Sequence, residues 1–218
     1  MKAMILAAGR GERMRPLTDN LPKPLLHVHS KPLIVHHIEK LAKAGFREIV
    51  INIAHLGYKI AEALGDGSDF GVSITYSDEQ DEGALESAGG IVKALGHLGE
   101  EFLVVNADVW CDYEFDANFQ LFESEAHLIF VENPEHNVNG DFALENKMAL
   151  NNGVYMYTFS GIGYYSAKLF KELAYGKRAL APILRDAIER KSVSAELYSG
   201  VWRDIGTPQR LDEVNGRW

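Results

Sequence analysis

The feature that most limits what this chain can fold into is the stretch from Lys2 to Lys23, where an apolar run gives way to glycines and arginines. Residues 4–8 (MILAA) have the composition of a short buried strand, and the run stops at Gly9. Because glycine has no side chain to hold a ligand away, backbone N–H groups at Gly9 and Gly11 can converge on an anion. Positive charge surrounds this loop at Arg10, Arg13, Arg15 and Lys23. The stretch therefore predicts a strand that enters a loop suited to a polyphosphate.

Two common phosphate-binding loops do not match this stretch. The dinucleotide fingerprint requires a third glycine at the start of a helix, and residues 13–15 (RMR) stand there instead. The P-loop requires Gly-Lys-Ser/Thr, which is absent. A dinucleotide-dependent oxidoreductase is therefore disfavoured, whereas a simple turn with solvated arginines stays open as an alternative.

Composition and charge exclude several classes of protein. The 218 residues carry a formal net charge of −9, so no basic surface is available to engage a nucleic-acid backbone. A few focused cations can still bind one small anionic substrate. Cys111 is the single cysteine, which favours a reducing, cytoplasmic location without disulfides. No apolar run approaches the length of a membrane span, and no secretion signal is evident at the N-terminus.

The order of predicted elements indicates an α/β fold with a doubly wound, mostly parallel sheet. In the first half the predicted order is strand 4–8, helix 31–44, strand 48–53, helix 57–64, strand 72–76, helix 91–95 and strand 102–106. A more antiparallel region is predicted next, with strands 127–131, 141–144, 153–159 and 201–205 and helices 167–173, 180–191 and 208–214. We expect one domain over residues 1–218, softly divided into a nucleotide-binding half (1–126) and a sugar-acceptor half (127–218).

Two aspartates follow predicted strands and are candidate metal ligands. Asp108 comes directly after the apolar strand 102–106, and Asp204 ends the strand 201–205. Ligands of open α/β sheets bind beyond the carboxyl ends of the strands, so Asp108 and the loop at Gly9 should face one crevice. Mg²⁺ prefers oxygen ligands and usually takes one or two protein carboxylates together with water and phosphates. Helix caps or turns are the structural alternative for both residues.

The whole N-terminal string resembles the signature of the sugar-nucleotidyltransferase (nucleoside diphosphate-sugar pyrophosphorylase) family. The matching sub-motifs are L-A-A-G-x-G-x-R at residues 6–13, P-L-T at 16–18 and P-K-P-L at 22–25. Glu12 departs from this pattern, since most members carry Thr or Ser there. The resemblance implies the nucleotide-diphospho-sugar transferase fold. The chain stops at Trp218, so we expect no C-terminal left-handed β-helix and a monomer or small homo-oligomer.

The resemblance also implies roles for individual residues. Its metal-binding aspartates map onto Asp108 and Asp204, with Mg²⁺ as the implied cofactor. The implied catalytic residues are Arg13, Lys23 and Asp108. The implied nucleotide-binding residues are Leu6, Ala7, Ala8, Gly9, Gly11, Arg13, Glu79, Glu86, Ser87 and Gly89. The implied sugar-binding residues are Asn106, Asp141, Ser160 and Gly161. For the acidic residues of loop 78–86, exposure to solvent without a ligand is the alternative.

The reaction implied by the resemblance joins a nucleoside triphosphate to a sugar 1-phosphate and releases pyrophosphate. The combination N-P-x-H, G-D-F, F-S-G-I and W-x-D-x-G-T is most similar to the bacterial N-acetylmuramate-1-phosphate uridylyltransferases of peptidoglycan recycling, which use UTP. Mannose-1-phosphate guanylyltransferases are the alternative within the family, and a non-catalytic sugar-nucleotide sensor is the alternative outside enzymes. The family's E-K-P lysine is missing, and Lys147 in Glu145-Asn146-Lys147 is a weak substitute.

Overall fold

The structure, a computed structural model, describes residues 1–216. Its strands are Lys2–Leu6 (β1), His27–Val28 (β2), Lys31–Pro32 (β3), Glu48–Ile53 (β4), Ser73–Asp78 (β5), Glu101–Asn106 (β6), Val109–Cys111 (β7), Ala126–Val131 (β8), Phe142–Glu145 (β9), Met148–Leu150 (β10), Met156–Ser166 (β11), Val193–Leu197 (β12) and Trp202–Asp204 (β13). Its α-helices are Leu33–Lys43 (α1), Gly57–Leu64 (α2), Glu86–Ala94 (α3), Lys168–Lys171 (α4), Leu180–Glu189 (α5) and Pro208–Val214 (α6). Across these helices none is both long and apolar enough to pass through a membrane.

Nine of these strands form one sheet in the order β5-β4-β1-β6-β11-β8-β12-β10-β9. The strands β5, β4, β1 and β6 are parallel, as predicted, and β8 is parallel to β12. β11 is antiparallel to both of its neighbours β6 and β8, and β10 is antiparallel to β9 and β12. The sheet is therefore mixed, and the prediction of a mostly parallel sheet is correct only for its first half.

Helices cover both faces of the sheet. Side chains alternate along each strand between the two faces, so Ala3 and Ile5 pack into one core while Met4 packs into the other. The first core contains the apolar stripes of α1 and α2. The second core contains those of α3, α4 and α5. Both halves of the chain contribute strands to this one sheet.

A third, smaller core lies beside the sheet. It joins Met14 from the loop after β1 to Leu26, Val28 and Leu33, and to Ile205 and Leu211 beyond β13. Met14, Val28, Leu33 and Ile205 are fully buried. Burial of apolar surface contributes about 25 cal/mol per Å², so this cluster ties the N-terminal loop firmly to the C-terminal segment.

The turn between β9 and β10 shows why the antiparallel region was hard to place. Asn146 and Lys147 connect the paired residues Glu145 and Met148, and both have positive φ, at 51° and 63°. Two consecutive residues with positive φ are typical of the tight turns that join hairpin strands. The usual pair in such turns is Asn-Gly, and here lysine takes the place of the glycine. The sequence therefore predicts no hairpin at this point, and strand β10 is not among the predicted strands.

The close approach of α3 to the segment 176–178 yields a prediction about stability. A Cβ added at Gly89 would lie 2.4 Å from the carbonyl oxygen of Gly176 and 3.2 Å from the backbone nitrogen of Arg178. Gly89→Ala should therefore force the helix away from this segment and lower the free energy of unfolding by about 1–3 kcal/mol, measured by urea denaturation. Gly96→Ala is the matched control, because a Cβ there meets no atom within 4 Å in the described part of the chain, its two chain neighbours aside. Its effect should stay within about 0.5 kcal/mol, and equal effects of the two variants would contradict the packing argument.

Candidate active site

A cleft of about 560 Å³ opens at the carboxyl ends of β1 and β6. The chain passes from β1 to β4 and β5 on one side and then returns to β6 on the other, so this is the point where the strand order reverses. Open α/β sheets bind their ligands at such points. Eleven of the residues predicted for the site line this cleft: Leu6, Ala7, Ala8, Gly9, Gly11, Arg13, Lys23, Glu86, Ser87, Asn106 and Asp108.

The glycine loop after β1 is shaped by its own hydrogen bonds. Gly11 has a φ of 65°, and its carbonyl accepts from the Thr18 hydroxyl and the Met14 N–H, both at 2.8 Å. A Cβ at Gly11 would lie 3.0 Å from Thr18 Cγ2, so conformation and space both favour glycine. A Cβ at Gly9, by contrast, would meet no atom of residues 1–216 within 4 Å, its two chain neighbours aside. The protein itself therefore does not require glycine at position 9, and the open space faces the cleft.

The three arginines of this loop are arranged differently. Arg10 and Arg13 line the cleft. Within residues 1–216, Arg13 forms no side-chain hydrogen bond or ion pair, so its five donors are available to a ligand. Arg15 lies outside the cleft lining, and its Nε is 3.3 Å from Asp19 Oδ1. The structure therefore brings two of the three arginines to the predicted site.

Lys23 and Asp108 form an ion pair on the floor of the cleft. Lys23 Nζ lies 2.6 Å from Asp108 Oδ2, and the two side chains are 12% and 34% exposed. The backbone sets this position, because Ala107 N–H donates to the Leu6 carbonyl at 3.0 Å and so holds the end of β6 against the end of β1. A nearly buried ammonium beside a half-open carboxylate can neutralise negative charge that enters the cleft.

The backbone of Asp204 lies beside that of Asp108 in the fold, but the Asp204 side chain lines a second cleft. β13 pairs with β7 so that Asp204 is opposite Val109, and Ile205 N–H donates to the Asp108 carbonyl at 2.8 Å. Asp204 Oδ2 accepts from Arg210 Nη1 at 2.5 Å and lies 3.1 Å from His136 Nε2. The two predicted metal ligands are therefore adjacent in the fold while facing neighbouring clefts.

The donor set of these two aspartates suits a magnesium ion. Asp204 Oδ1 is buried and has no hydrogen-bond partner among the described residues. Asp108 keeps part of its carboxylate open to the cleft. No group of three or more His, Cys, Asp or Glu side chains in residues 1–216 could enclose a metal ion. Mg²⁺ usually takes one or two protein carboxylates and keeps several water ligands, so Asp108 and Asp204 are the residues that would hold it.

The second cleft, of about 870 Å³, adjoins the first where the chain passes from Asp204 to Gly206. Positive charge on its lining comes from Arg203 and Arg210, and the His136 ring lines it as well. Acidic side chains line it as well, at Glu132, Glu135, Asp204 and Glu213. Hydroxyl and amide groups from Ser199, Thr207 and Gln209 complete a polar lining suited to a sugar.

Two residues predicted to bind the nucleotide lie outside the cleft. Glu79 is fully buried, and its carboxylate accepts from Asn52 Nδ2 at 2.7 Å and from Leu85 N–H at 2.8 Å. Gly89 lies on the side of α3 that packs against Gly176. The helix begins at Glu86, five residues earlier than predicted, so only its first turn, with Glu86 and Ser87, reaches the cleft. Direct contact of Glu79 and Gly89 with a nucleotide is therefore not supported by their positions.

Three of the four residues predicted to bind the sugar also lie outside both clefts. Asp141 Oδ2 accepts from Phe159 N–H at 2.9 Å and from Asn137 Nδ2 at 3.2 Å, so it fixes the backbone beside β11. Ser160 and Gly161 belong to β11, which continues to Ser166 instead of ending at residue 159. Ser160 is 1% exposed. Asn106 alone of the four lines the first cleft.

Gly161 nevertheless has a defined relation to the site. Its φ is 78°, and it lies where the pairing of β11 with β8 shifts between Phe159 and Gly163. A Cβ at this position would lie 2.5 Å from Asn106 Nδ2. The glycine therefore leaves the space in which the Asn106 side chain lies.

Three residues that line the second cleft, and one buried residue that supports the first cleft, were not predicted. Asn52 interrupts the buried apolar strand β4, and a polar residue in such a run is a signal that could have been noticed. His136, Arg203 and Arg210 line the second cleft from a polar loop, a strand and a helix. His136 is the histidine of the N-P-x-H motif, which was a signal for it. Charged residues on exposed segments are common, so the sequence carried no comparable signal for Arg203 and Arg210.

Comparison with known proteins identifies the family. The sequence model described as nucleotidyl transferase matches residues 2–140. The N-acetylmuramate alpha-1-phosphate uridylyltransferase of Neisseria meningitidis serogroup B is 52% identical over 231 aligned positions that cover all of both chains. A mannose-1-phosphate guanyltransferase of Kluyveromyces lactis is 33% identical over 96% of this chain and 62% of its own length.

Solved structures show the same fold. A Bacillus anthracis structure, assigned as a glucose-1-phosphate thymidylyltransferase and solved with sucrose, has a TM-score of 0.86 at 25% identity, covering 99% of this chain and 94% of that chain. The inositol-1-phosphate CTP transferase of T. maritima has a TM-score of 0.77 at 18% identity, over 99% of this chain and 95% of that chain, which shows likeness of fold. The chain therefore belongs to the nucleotidyl transferase family and is a sugar-1-phosphate nucleotidyltransferase.

Proposed function

We propose that this protein joins UTP to N-acetylmuramate 1-phosphate, with release of pyrophosphate. The observation that carries the proposal is the pair of adjoining clefts, which meet at Asp108, Asp204 and Gly206. One cleft has a glycine loop with arginines, and the other has a polar lining with cations. The choice of these two substrates is supported by the relative of that name, which is 52% identical over the full chain.

The first cleft suits the nucleoside triphosphate. Backbone groups of the loop at Gly9 and Gly11 face it, and Arg13 adds donors that can hold the leaving phosphates. Leu6, Ala7 and Ala8 form one wall and Glu86 with Ser87 the other, leaving a slot for the base. Carboxylate and hydroxyl groups can hydrogen-bond uracil or guanine, so this wall does not by itself select UTP over GTP.

The second cleft suits the sugar 1-phosphate. Arg203, Arg210 and His136 line it, and Arg210 is already bonded to Asp204 at the junction of the two clefts. Lys147, the weak substitute for the missing lysine, lies in the turn between β9 and β10 and lines neither cleft. Arg203 and Arg210 are therefore the cations best placed to hold an anionic sugar.

The reaction is an in-line displacement without a covalent enzyme intermediate. A phosphate oxygen of the sugar 1-phosphate attacks the α-phosphorus of the triphosphate, a new P–O bond forms, and the bond to pyrophosphate breaks. Both reactants are anions, so the residues act chiefly by positioning and by neutralising charge. Lys23 and Arg13 both line the first cleft. Lys23 would stabilise charge on the transferred phosphate, and Arg13 would stabilise the leaving group. Magnesium, held by Asp108 and Asp204 together with phosphate oxygens, would supply further charge neutralisation when bound.

Two alternatives are ranked below this proposal. The guanyltransferase relative at 33% identity makes GTP with mannose 1-phosphate the second candidate. A sugar-nucleotide sensor without turnover has less need of the two adjacent carboxylates at the junction. A role in peptidoglycan recycling, a cytoplasmic location and a monomeric or small oligomeric state stay predictions.

The first test is pyrophosphate release with Mg²⁺ for each pairing of UTP, GTP, dTTP and CTP with four sugar 1-phosphates. The sugars are those of N-acetylmuramate, N-acetylglucosamine, glucose and mannose. We expect the highest kcat/KM for UTP with N-acetylmuramate 1-phosphate. Preference for GTP with mannose 1-phosphate would move the assignment to the second candidate, and no turnover in any pairing would favour the sensor.

The second test removes the charge of each aspartate at the junction. Asp108→Asn and Asp204→Asn keep the size of the side chains, so the fold should persist in circular dichroism spectra. Loss of one preorganised charge should lower kcat at least about 100-fold in each variant. Asp116→Asn is the control, since Asp116 caps a turn at Asn118 and lines neither cleft. Full turnover of either junction variant would contradict the assigned roles.

The third test compares two arginines of the same loop. Arg13→Gln should weaken UTP binding about 10-fold or more, because a charge-assisted hydrogen bond is worth about 1.5–3 kcal/mol. Arg15→Gln removes the same charge two residues away, where the side chain faces Asp19. Titration calorimetry should show near-normal affinity for that variant, and equal losses would mean that only net charge matters.

A further inference from the structure

Three buried hydrogen bonds connect the two walls of the first cleft. Ala7 N–H donates to Asn52 Oδ1 at 2.7 Å, and Asn52 Nδ2 donates to Glu79 Oε1 at 2.7 Å. Leu85 N–H donates to Glu79 Oε2 at 2.8 Å. Ala7 belongs to one wall of the cleft, and Leu85 directly precedes Glu86 and Ser87 of the other wall. We call this chain of hydrogen bonds the Asn52–Glu79 relay.

The relay starts and ends at backbone N–H groups, and this restricts which side chains can form it. Because a donor stands at each end, one of the two side chains between them must accept hydrogen bonds from both of its neighbours. Asn52 accepts a hydrogen bond with its oxygen and donates one with its nitrogen, so the next residue in the relay must again be an acceptor. Glu79 must then accept at both oxygens, and only an ionised carboxylate does so without offering a hydrogen.

The surroundings of the relay are packed around this arrangement. Glu79 is 0% and Asn52 3% exposed, and a buried carboxylate is unfavourable unless it is hydrogen-bonded. Burial raises the pKa of Glu79 above its usual range, and the hydrogen bonds from Leu85 and Asn52 and the charge of Lys93 offset only part of this effect. A Cβ at Gly90 would lie 2.6 Å from Glu79 Oε1 and 2.7 Å from Asn52 Nδ2, so α3 carries a glycine at the point of contact.

We infer that Asn52 and Glu79 are positioning residues, which fix the separation of the Ala7 wall from the Glu86–Ser87 wall and thereby set the affinity for the nucleotide. This inference rests on the proposed assignment of the first cleft to the nucleoside triphosphate. Neither residue touches the cleft itself, so each acts through the backbone groups that it holds.

The direction of the hydrogen bonds allows a test with substitutions that scarcely change shape. Glu79→Gln introduces an amide hydrogen facing either Leu85 N–H or the Asn52 amide, so one contact becomes donor against donor. Asn52→Asp places two carboxylates face to face in a buried site, which is unfavourable. In the double variant N52D/E79Q the carboxylate at position 52 accepts from Ala7 and from the new amide at position 79. The oxygen of that amide accepts from Leu85, so every bond is restored.

We expect each single variant to raise KM for UTP about 10-fold while KM for the sugar 1-phosphate changes less than about threefold. The double variant should return KM for UTP to within about threefold of the wild-type value. The control is Glu125→Gln, because Glu125 also accepts two hydrogen bonds, from Arg190 at 2.7 Å and Ser192 at 2.8 Å, and is not a lining residue of the first cleft. This control should leave KM for UTP unchanged, even where it lowers the melting temperature.

Amide hydrogen exchange at Ala7 and Leu85 supplies a readout that is independent of turnover. Both amides should lose protection in the single variants and regain it in the double variant. Restored protection without restored KM for UTP, or single variants with wild-type KM, would overturn the positioning role. If both single variants fail to fold, Asn52→Ala removes the bonds to Ala7 and Glu79 and keeps the bond from Leu85 to Glu79, and an unchanged KM for UTP in that variant would overturn the inference.

Failure of the proposed function would look different. The wild-type protein would then neither bind nor turn over UTP or another triphosphate, although exchange at Ala7 and Leu85 would still respond to the substitutions. That result would remove the nucleotide from both proposals while leaving the relay as a structural element.

Discussion

The parallel pairing of β1 with β6 is the interaction on which the rest of the site depends. Leu6 is opposite Asn106 at the end of both strands, and one further hydrogen bond joins Ala107 to Leu6. Beyond that bond the two segments diverge: the one after β1 enters the glycine loop, and the one after β6 leads to Asp108. Lys23 and Asp108 can form their ion pair only because this divergence begins at a shared point. A shift of one residue in the pairing would turn the following side chains to the opposite face of the sheet.

The small two-stranded sheet of β7 and β13 extends this arrangement to the second cleft. β7 follows Asp108 directly, and β13 brings Asp204 and Gly206 beside it. The two clefts are therefore joined at a strand pair in which β13 carries Asp204 and β7 begins directly after Asp108. In-line transfer requires donor and acceptor to meet in a fixed orientation, and a rigid strand pair provides a more exact frame than a loop. The third core, which contains Met14 and Ile205, packs against the same region.

Local patterns predicted several elements well, most of them in the first half of the chain. The bounds of β4, α2 and α6 are those expected from apolar spacing and from glycine and proline at the ends. The loop residues at the end of β1 and the lysine and aspartate of the cleft were also found, because their spacing forms a specific motif.

The second half was less predictable. Ser160 and Gly161 have the composition of a loop but lie inside β11, since Gly161 makes room for Asn106 across the sheet. Glu79 shows the same limit: a carboxylate in an acidic, glycine-bearing segment looks solvated until Asn52 and the Leu85 amide are placed around it.

The position of β11 has a consequence for how the chain acquires its structure. β11 (Met156–Ser166) lies between β6 and β8 in the sheet. Both of these strands end at least 25 residues before β11 begins. Until residue 166 has left the ribosome, β6 and β8 each lack a neighbour, and their open edges can pair with other chains. Completion of the sheet therefore depends on contacts between residues distant in sequence, which slow folding. A chaperone that covers the edge of β6 during synthesis would protect the strand that later carries Asn106 and Asp108 into the cleft.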